Sequence, residues 1–126
     1  MQQDRTTVLY IEDDVVVLCS RKRLLELAGY SVLGRTFGTE GLDSFRYAKV
    51  DLIVLDHHMP DMDGGDTASE IKKINSTVPI IMFSALPKLP DNLLHMVEAF
   101  VQKGSPIEEL ISKIKEVLGR YGAPHL

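Results

Sequence analysis

Short apolar runs alternate along this chain with segments whose apolar residues recur every three or four positions. "TVLYI" (7–11) is β-branched and apolar, and it ends on the acids "EDD". "VVVLCSRKRLLELAG" follows, with Leu18, Leu24, Leu25 and Ala28 on one helical face and Gly29 as a stop. "YSVLGR" (30–35) reads as a less regular strand, and "GTEGLDSFRYA" (38–48) as a helix capped by Thr39 with Leu42 and Phe45 inward. The run at 51–56, "DLIVLD", is the strongest strand pattern. "GGDTASEIKKIN" puts Ala68, Ile71 and Ile74 on one side of a helix, "VPIIMFSA" is a second buried strand, and "AFVQK" is a short fifth one. In "SPIEELISKIKEVLG" Ser105 reads as a cap, Pro106 as the first helical residue and Glu108 as the partner in a capping box. Ile107, Leu110, Ile111, Ile114, Val117 and Leu118 form its apolar stripe, and Gly119 is its expected end.

Strand–helix alternation at this spacing predicts an α/β fold of parallel strands, with right-handed crossovers and helices on both faces. Near-continuous apolar strands, rather than alternating ones, mark a sheet buried on both sides. In such sheets ligands bind beyond the carboxyl ends of the strands. The polar residues of interest fall there. Strand one ends on Glu12, Asp13 and Asp14, strand three on Asp56, strand four on Ser84 and strand five on Lys103.

With 126 residues and neither repeats nor an interdomain linker, the chain is expected to form a single domain over 1–126. The net charge of −4 and the lack of a Lys/Arg run argue against direct nucleic-acid binding. A lone cysteine, Cys19, fits a reducing compartment and is expected to fill core space. The polar start, "MQQDRTT", has no apolar segment behind it long enough for a signal peptide or membrane span, so a cytoplasmic location without membrane association is expected.

Carboxylates converging on one rim repel each other and hold on to protons unless a cation intervenes. Mg²⁺ or Mn²⁺, which takes oxygen ligands, resolves that repulsion. A lysine beside them supplies a point charge for an anion and a serine one hydrogen bond. These parts describe a site for a phosphoryl group on a carboxylate.

On these residues the chain resembles the receiver domain of two-component response regulators. "VLYIEDD" is similar to the family's acid-ended first strand, and "DLIVLDHHMPDMDG" to its phospho-acceptor segment. "PIIMFSA" is similar to its fourth strand and "FVQK" to its fifth, so the resemblance runs from about Thr7 to about Leu118. It implies a five-stranded, flavodoxin-like doubly wound sheet in the order 2-1-3-4-5. It also implies that Asp56 takes a phosphoryl group from a sensor histidine kinase or phosphotransfer protein. Glu12, Asp13, Asp56 and the backbone carbonyl of His58 would hold the Mg²⁺. Lys103 and Ser84 would contact the phosphoryl group, and Ser84 with Phe100 would form the switch. A monomer or weak dimer that signals to an unknown downstream protein is implied. So is an activity confined to self-phosphorylation and slow autodephosphorylation, without an output domain in this chain.

Other readings of these residues carry their own weight. His57 and His58 leave a strand in opposite directions and make a poor transition-metal pair. "DMDGGD" lacks the spacing of a calcium loop, and Asp14 reads as a helix cap. An aspartate-nucleophile phosphatase would carry an acid where His58 stands. A receiver-like interaction module that is never phosphorylated would not need Asp56, Lys103 and the acid pair together. Two features depart from the family. Gly104 stands where a proline, joined through a cis bond, usually follows the lysine, so a trans Lys103–Gly104 bond is expected. The stretch between Ser84 and Lys103 is also short, and Pro87 and Pro90 delay helix entry, so the fourth helix is expected to start at an Asp91 cap and run about two turns, to Val97 or Glu98.

Overall fold

The computed structural model describes residues 5–120. Five strands, β1 (Thr7–Ile11), β2 (Ser31–Arg35), β3 (Leu52–Asp56), β4 (Ile80–Ser84) and β5 (Ala99–Gln102), form one parallel sheet in the order β2-β1-β3-β4-β5. Between and after them run α1 (Val15–Leu27), α2 (Gly38–Tyr47), α3 (Gly64–Ile74), α4 (Asp91–Leu94) and α5 (Ile107–Arg120). The flavodoxin-like order expected from the resemblance is the order found. The tail from 121 onward and the first four residues lie outside the described residues.

The two-sided burial of the strands divides their side chains by parity. Val8, Tyr10, Leu52, Val54, Ile81, Phe83 and Val101 pack on one face against Leu18 and Leu25 of α1 and Leu110, Ile114, Val117 and Leu118 of α5. Leu9, Ile11, Ile53, Leu55, Ile80 and Met82 pack on the other against α2, α3 and the α4 segment. All five strands point the same way, so their carboxyl ends share one edge. After β2 the chain crosses to the other side of β1, and this reversal opens the sheet edge between β1 and β3, where such folds bind ligands.

Several local expectations change. In α1 the inward residues are Leu18 and Leu25, with Arg21 between them; Leu24 is 38% exposed, and Ala28 and Cys19 are exposed as well. Cys19 is therefore surface, not core. Ile74, at the last turn of α3, is exposed rather than inward. The N–H of Ser105, which a capping box would give to Glu108, goes instead to the carbonyl of Gln102 at 3.2 Å, and α5 continues through Gly119 to Arg120.

The fourth helix is shorter than expected, at four residues, with Pro90 at the cap position and Asp91 already inside. Glu98 explains the early stop. Its N–H donates to the Ile80 carbonyl at 2.9 Å, and its carboxylate accepts from the Ile80 N–H at 2.6 Å and lies 3.2 Å from Lys72 Nζ. Once Glu98 is pinned beside β4, too few residues remain after Leu94 for a second helical turn.

Thr39 does not cap α2. The residue before the helix is Phe37, which has no side-chain acceptor. Asp61, from the loop after β3, supplies it across the fold: its carboxylate accepts from the N–H of Gly38 (3.1 Å), the N–H of Thr39 (3.1 Å) and the Thr39 hydroxyl (3.0 Å). Asp63 caps α3 through the N–H of Asp66 at 2.8 Å. The acids of "DMDGGD" are thus occupied with helix starts.

Partial burial alone would raise the Asp61 carboxyl, but the N–H groups of Thr39 and Gly38 outweigh it and hold the carboxyl below the usual carboxylate range. Its contribution is therefore present above that range and lost as pH falls through the lowered value. Asp61→Ala should cost about 1 kcal/mol in urea unfolding at neutral pH, the usual size of a lost cap. The gap between parent and variant should close in strong acid. A gap that stays constant there would mean that Asp61 acts by packing, not by capping.

Candidate functional site

β3 delivers Asp56 to the shared edge with no solvent exposure. A carboxylate so placed needs compensation. Lys103, just beyond β5, provides it, with Nζ 2.9 Å from Oδ1 and 3.0 Å from Oδ2. The N–H of His58 adds a hydrogen bond to Oδ1 at 3.2 Å. Glu12, directly after β1, is 2% exposed and accepts from the N–H of Asp14 at 3.2 Å. Asp13 beside it is exposed. One carboxylate oxygen from each of Glu12, Asp13 and Asp56 lies within 4.8 Å of the others. Asp14 turns away and caps α1, accepting from the N–H groups of Val16 (3.0 Å) and Val17 (3.2 Å), as its sequence position predicts.

The electrostatics follow from this crowding. Burial, then the neighbouring Asp56, pushes the Glu12 carboxyl up to about 8. Burial also works to raise Asp13, but hydrogen bonds with the Asp56 and Glu12 carboxyls and the charge of Lys103 together lower it. Partial burial would lower Lys103, yet the hydrogen bond and charge of Asp56 outweigh it and the ammonium is held more tightly than usual. At neutral pH Glu12 therefore keeps a proton where a divalent cation would replace it. Three carboxylates offering only oxygen are a donor set that suits Mg²⁺ or Mn²⁺.

Two glycines make this edge possible. A side chain at Gly64 would meet the Asp56 carbonyl at 2.6 Å and the His57 Cα at 2.7 Å, so only glycine lets the start of α3 close over the end of β3. Gly104 has φ +94°, which proline with its fixed negative φ does not adopt. The Lys103–Gly104 bond is trans, as expected.

The remaining sequence-predicted residues stand further out. Ser84, at the end of β4, is 1% exposed, and its hydroxyl meets the His57 ring and the N–H of Leu86 rather than a carboxylate. Phe100 is half-buried against the core face that carries α2, α3 and α4. Two residues were not anticipated. Nδ1 of His57 lies 3.2 Å from Ser84 Oγ, a contact made 27 residues apart. Arg21 faces inward from α1, with its guanidinium 4.7 Å from the centre of the Phe83 ring and one nitrogen reaching the Ser105 carbonyl at 3.4 Å. Both frame the same edge, and Arg21 with Glu12, Asp13, Lys103 and Gly104 lines a cleft of about 410 Å³ at its mouth. The signal for Arg21 was its place between Leu18 and Leu25, an inward helical position. His57 had no such signal, because a loop residue's direction is not periodic.

Comparison with known proteins agrees with this geometry. The family model described as the response regulator receiver domain matches residues 8–115. The transcriptional regulatory protein CseB of Streptomyces coelicolor is 35% identical over 122 residues, covering 94% of this chain and 52% of that protein. PrrA of Mycobacterium tuberculosis, also named a transcriptional regulatory protein, is 31% identical over 92% of this chain and 51% of its own length. The chain thus spans about half the length of the curated relatives it matches. Among solved structures, a CheY-like receiver domain protein from Methanospirillum hungatei superposes with a TM-score of 0.88 at 28% identity, covering 94% of this chain and 98% of that one. TrrA of Thermotoga maritima, solved in complex with Mg²⁺ and BeF, gives 0.84 at 27% identity over 90% of this chain and 99% of that one. Five parallel strands in receiver order, acids at the carboxyl ends of β1 and β3 meeting a lysine after β5, and a family match over nearly all the described residues lead to one conclusion: this chain belongs to the response regulator receiver domain family of two-component systems.

Proposed function

We propose that this chain, as a single receiver domain over 1–126, accepts a phosphoryl group on Asp56 from a sensor histidine kinase or phosphotransfer protein and changes conformation in response. The observation that carries this reading is a fully buried carboxylate held by Lys103 on both oxygens, with two further acids at ligand spacing.

In the transfer, one Asp56 oxygen forms a bond to phosphorus. The donor's P–N bond breaks, and its electron pair returns to the imidazole nitrogen, which is reprotonated. Phosphoryl transfer depends chiefly on positioning and charge neutralisation, so few groups suffice. Lys103, now holding the Asp56 carboxylate, is placed to turn to the phosphoryl oxygens. Glu12, Asp13, Asp56 and the His58 backbone carbonyl would hold Mg²⁺ or Mn²⁺, which supplies positive charge to the carboxylates and to the phosphoryl oxygens. Ser84, one strand away, would then move to donate to the phosphoryl group, and Phe100 would turn into the space it leaves. Having no phenolic hydroxyl, Phe100 would switch by packing alone.

The phosphatase reading loses support from His58, which is exposed and gives its N–H to Asp56 rather than standing as a carboxylic acid beside it. An interaction module without phosphorylation gives no reason to bury Asp56. We further propose a cytoplasmic setting, a monomer or weak dimer, a downstream protein partner and no direct nucleic-acid contact by this domain. Among the described residues no helix is long and apolar enough to cross a membrane.

Incubation with Mg²⁺ and a small phosphodonor should add one acid-labile phosphoryl group per chain by intact mass, and Asp56→Asn should remove it. Labelling that survives the substitution, or that needs no metal, would sink the assignment. Metal should also stabilise the fold. In metal-free protein, Glu12 binds its proton more tightly folded than unfolded, so its own contribution to stability is full below about pH 4.5 and is lost as pH rises through about 8. Mg²⁺ at ten times its dissociation constant should restore about 1.4 kcal/mol by mass action. Asp13→Asn should shrink the metal-dependent rise in Tm, and a parent protein indifferent to Mg²⁺ at pH 8 would exclude the site.

A further inference from the structure

The Ser84 hydroxyl has one proton to give and sits 1% exposed, cut off from bulk water. Its oxygen already accepts from the N–H of Leu86 at 3.0 Å. A buried hydroxyl seeks an acceptor for its proton, and the ring nitrogen at hand is His57 Nδ1, at 3.2 Å. In the tautomer that leaves Nδ1 without a proton, the half-buried His57 ring accepts that hydrogen bond. The Cα from which the ring projects is fixed. The N–H of His57 donates to the Phe83 carbonyl at 2.8 Å, and its carbonyl accepts from the N–H of Gly64 at 2.8 Å, so its backbone is clamped between β4 and α3. A phosphoryl group offers acceptor oxygens, so Ser84 engages it by giving up that same single proton.

We propose that His57 is a latch on Ser84: its Nδ1 competes with the phosphoryl oxygens for the Ser84 hydroxyl proton and biases the domain to its unphosphorylated form. His57 is a positioning residue here, acting through Ser84 and touching neither phosphorus nor metal. The inference rests on the proposed phosphorylation of Asp56 and adds a determinant of how readily that state forms.

The test is titration of the full chain with beryllium fluoride, a phosphoryl mimic, at saturating Mg²⁺, followed by amide chemical shifts. His57→Leu removes the competing acceptor and should tighten binding roughly two- to tenfold, the equivalent of one neutral hydrogen bond. His57→Phe, which keeps a ring without nitrogen, should do the same and serves if the leucine variant folds poorly. His57→Asn, whose amide oxygen stands near the position of Nδ1, should return binding to the parental value. In a Ser84→Ala background His57→Leu should have no effect. Unchanged or weaker binding in the leucine and phenylalanine variants would overturn the latch, as would an equal gain without Ser84. Failure of the parent itself to bind beryllium fluoride would overturn the phosphorylation reading along with it, and that case is recognisable because no variant would bind.

Discussion

A carboxylate with no access to water cannot stay charged without a partner, and the pairing of Asp56 with Lys103 answers that constraint at the centre of this protein. Without Lys103 beside it, keeping such a charge buried would cost several kcal/mol. The pair spans 47 residues, from the end of β3 to the residue after β5, and it needs β4 between them in register. Lys103 is only one charge against three acids. The surplus is handled by Glu12, which keeps a proton, and by Asp13, which stays at the surface. With Glu12 protonated, Lys103 offsets Asp56 and the exposed Asp13 leaves the edge with a negative charge that favours an arriving cation.

The fold supports this arrangement by making it geometrically cheap. Parallel strands put every carboxyl end on one edge, and the reversal of strand order at β1 and β3 leaves that edge open between them. Two apolar layers, one under α1 and α5 and the other under α2, α3 and α4, hold the strands from both sides. Asp56 and Ser84 are the last residues of β3 and β4, and Glu12, Asp13 and Lys103 follow β1 and β5 within two residues, so the polar groups sit on or directly beside rigid strands. Gly64 packs the start of α3 against the backbone of the acceptor strand. Its hydrogen bond to the His57 carbonyl fixes the residue that faces Ser84.

Asp56, Glu12, Asp13, Ser84 and Lys103 were legible as neighbours on one rim because a parallel sheet turns sequence position at strand ends into spatial proximity. Periodicity was a poorer guide where apolar residues surround a helix. In α1, Val15, Val16, Leu24 and Leu27 are all exposed, so the apolar residues do not mark a single face, and the inward position between Leu18 and Leu25 belongs to Arg21. The length of α4 was misjudged because its end is set by Glu98 binding Ile80 and Lys72, a long-range contact without local signature. Asp61 and His57 escaped for the same reason: each makes its decisive hydrogen bond 22 to 27 residues away, across a loop whose path no spacing rule encodes.

The cap that Asp61 places on α2 gives the acceptor loop a second attachment. The segment that follows Asp56 is held at one end by the start of α3 and at its middle by the start of α2, two helices on the same side of the sheet. Loop and helix start therefore form one inheritable unit. A chimaera that imports another receiver's acceptor loop without residues 36–39 would leave the N–H groups of Gly38 and Thr39 facing the wrong partner. A compatible graft must exchange both segments together, although they lie far apart in sequence.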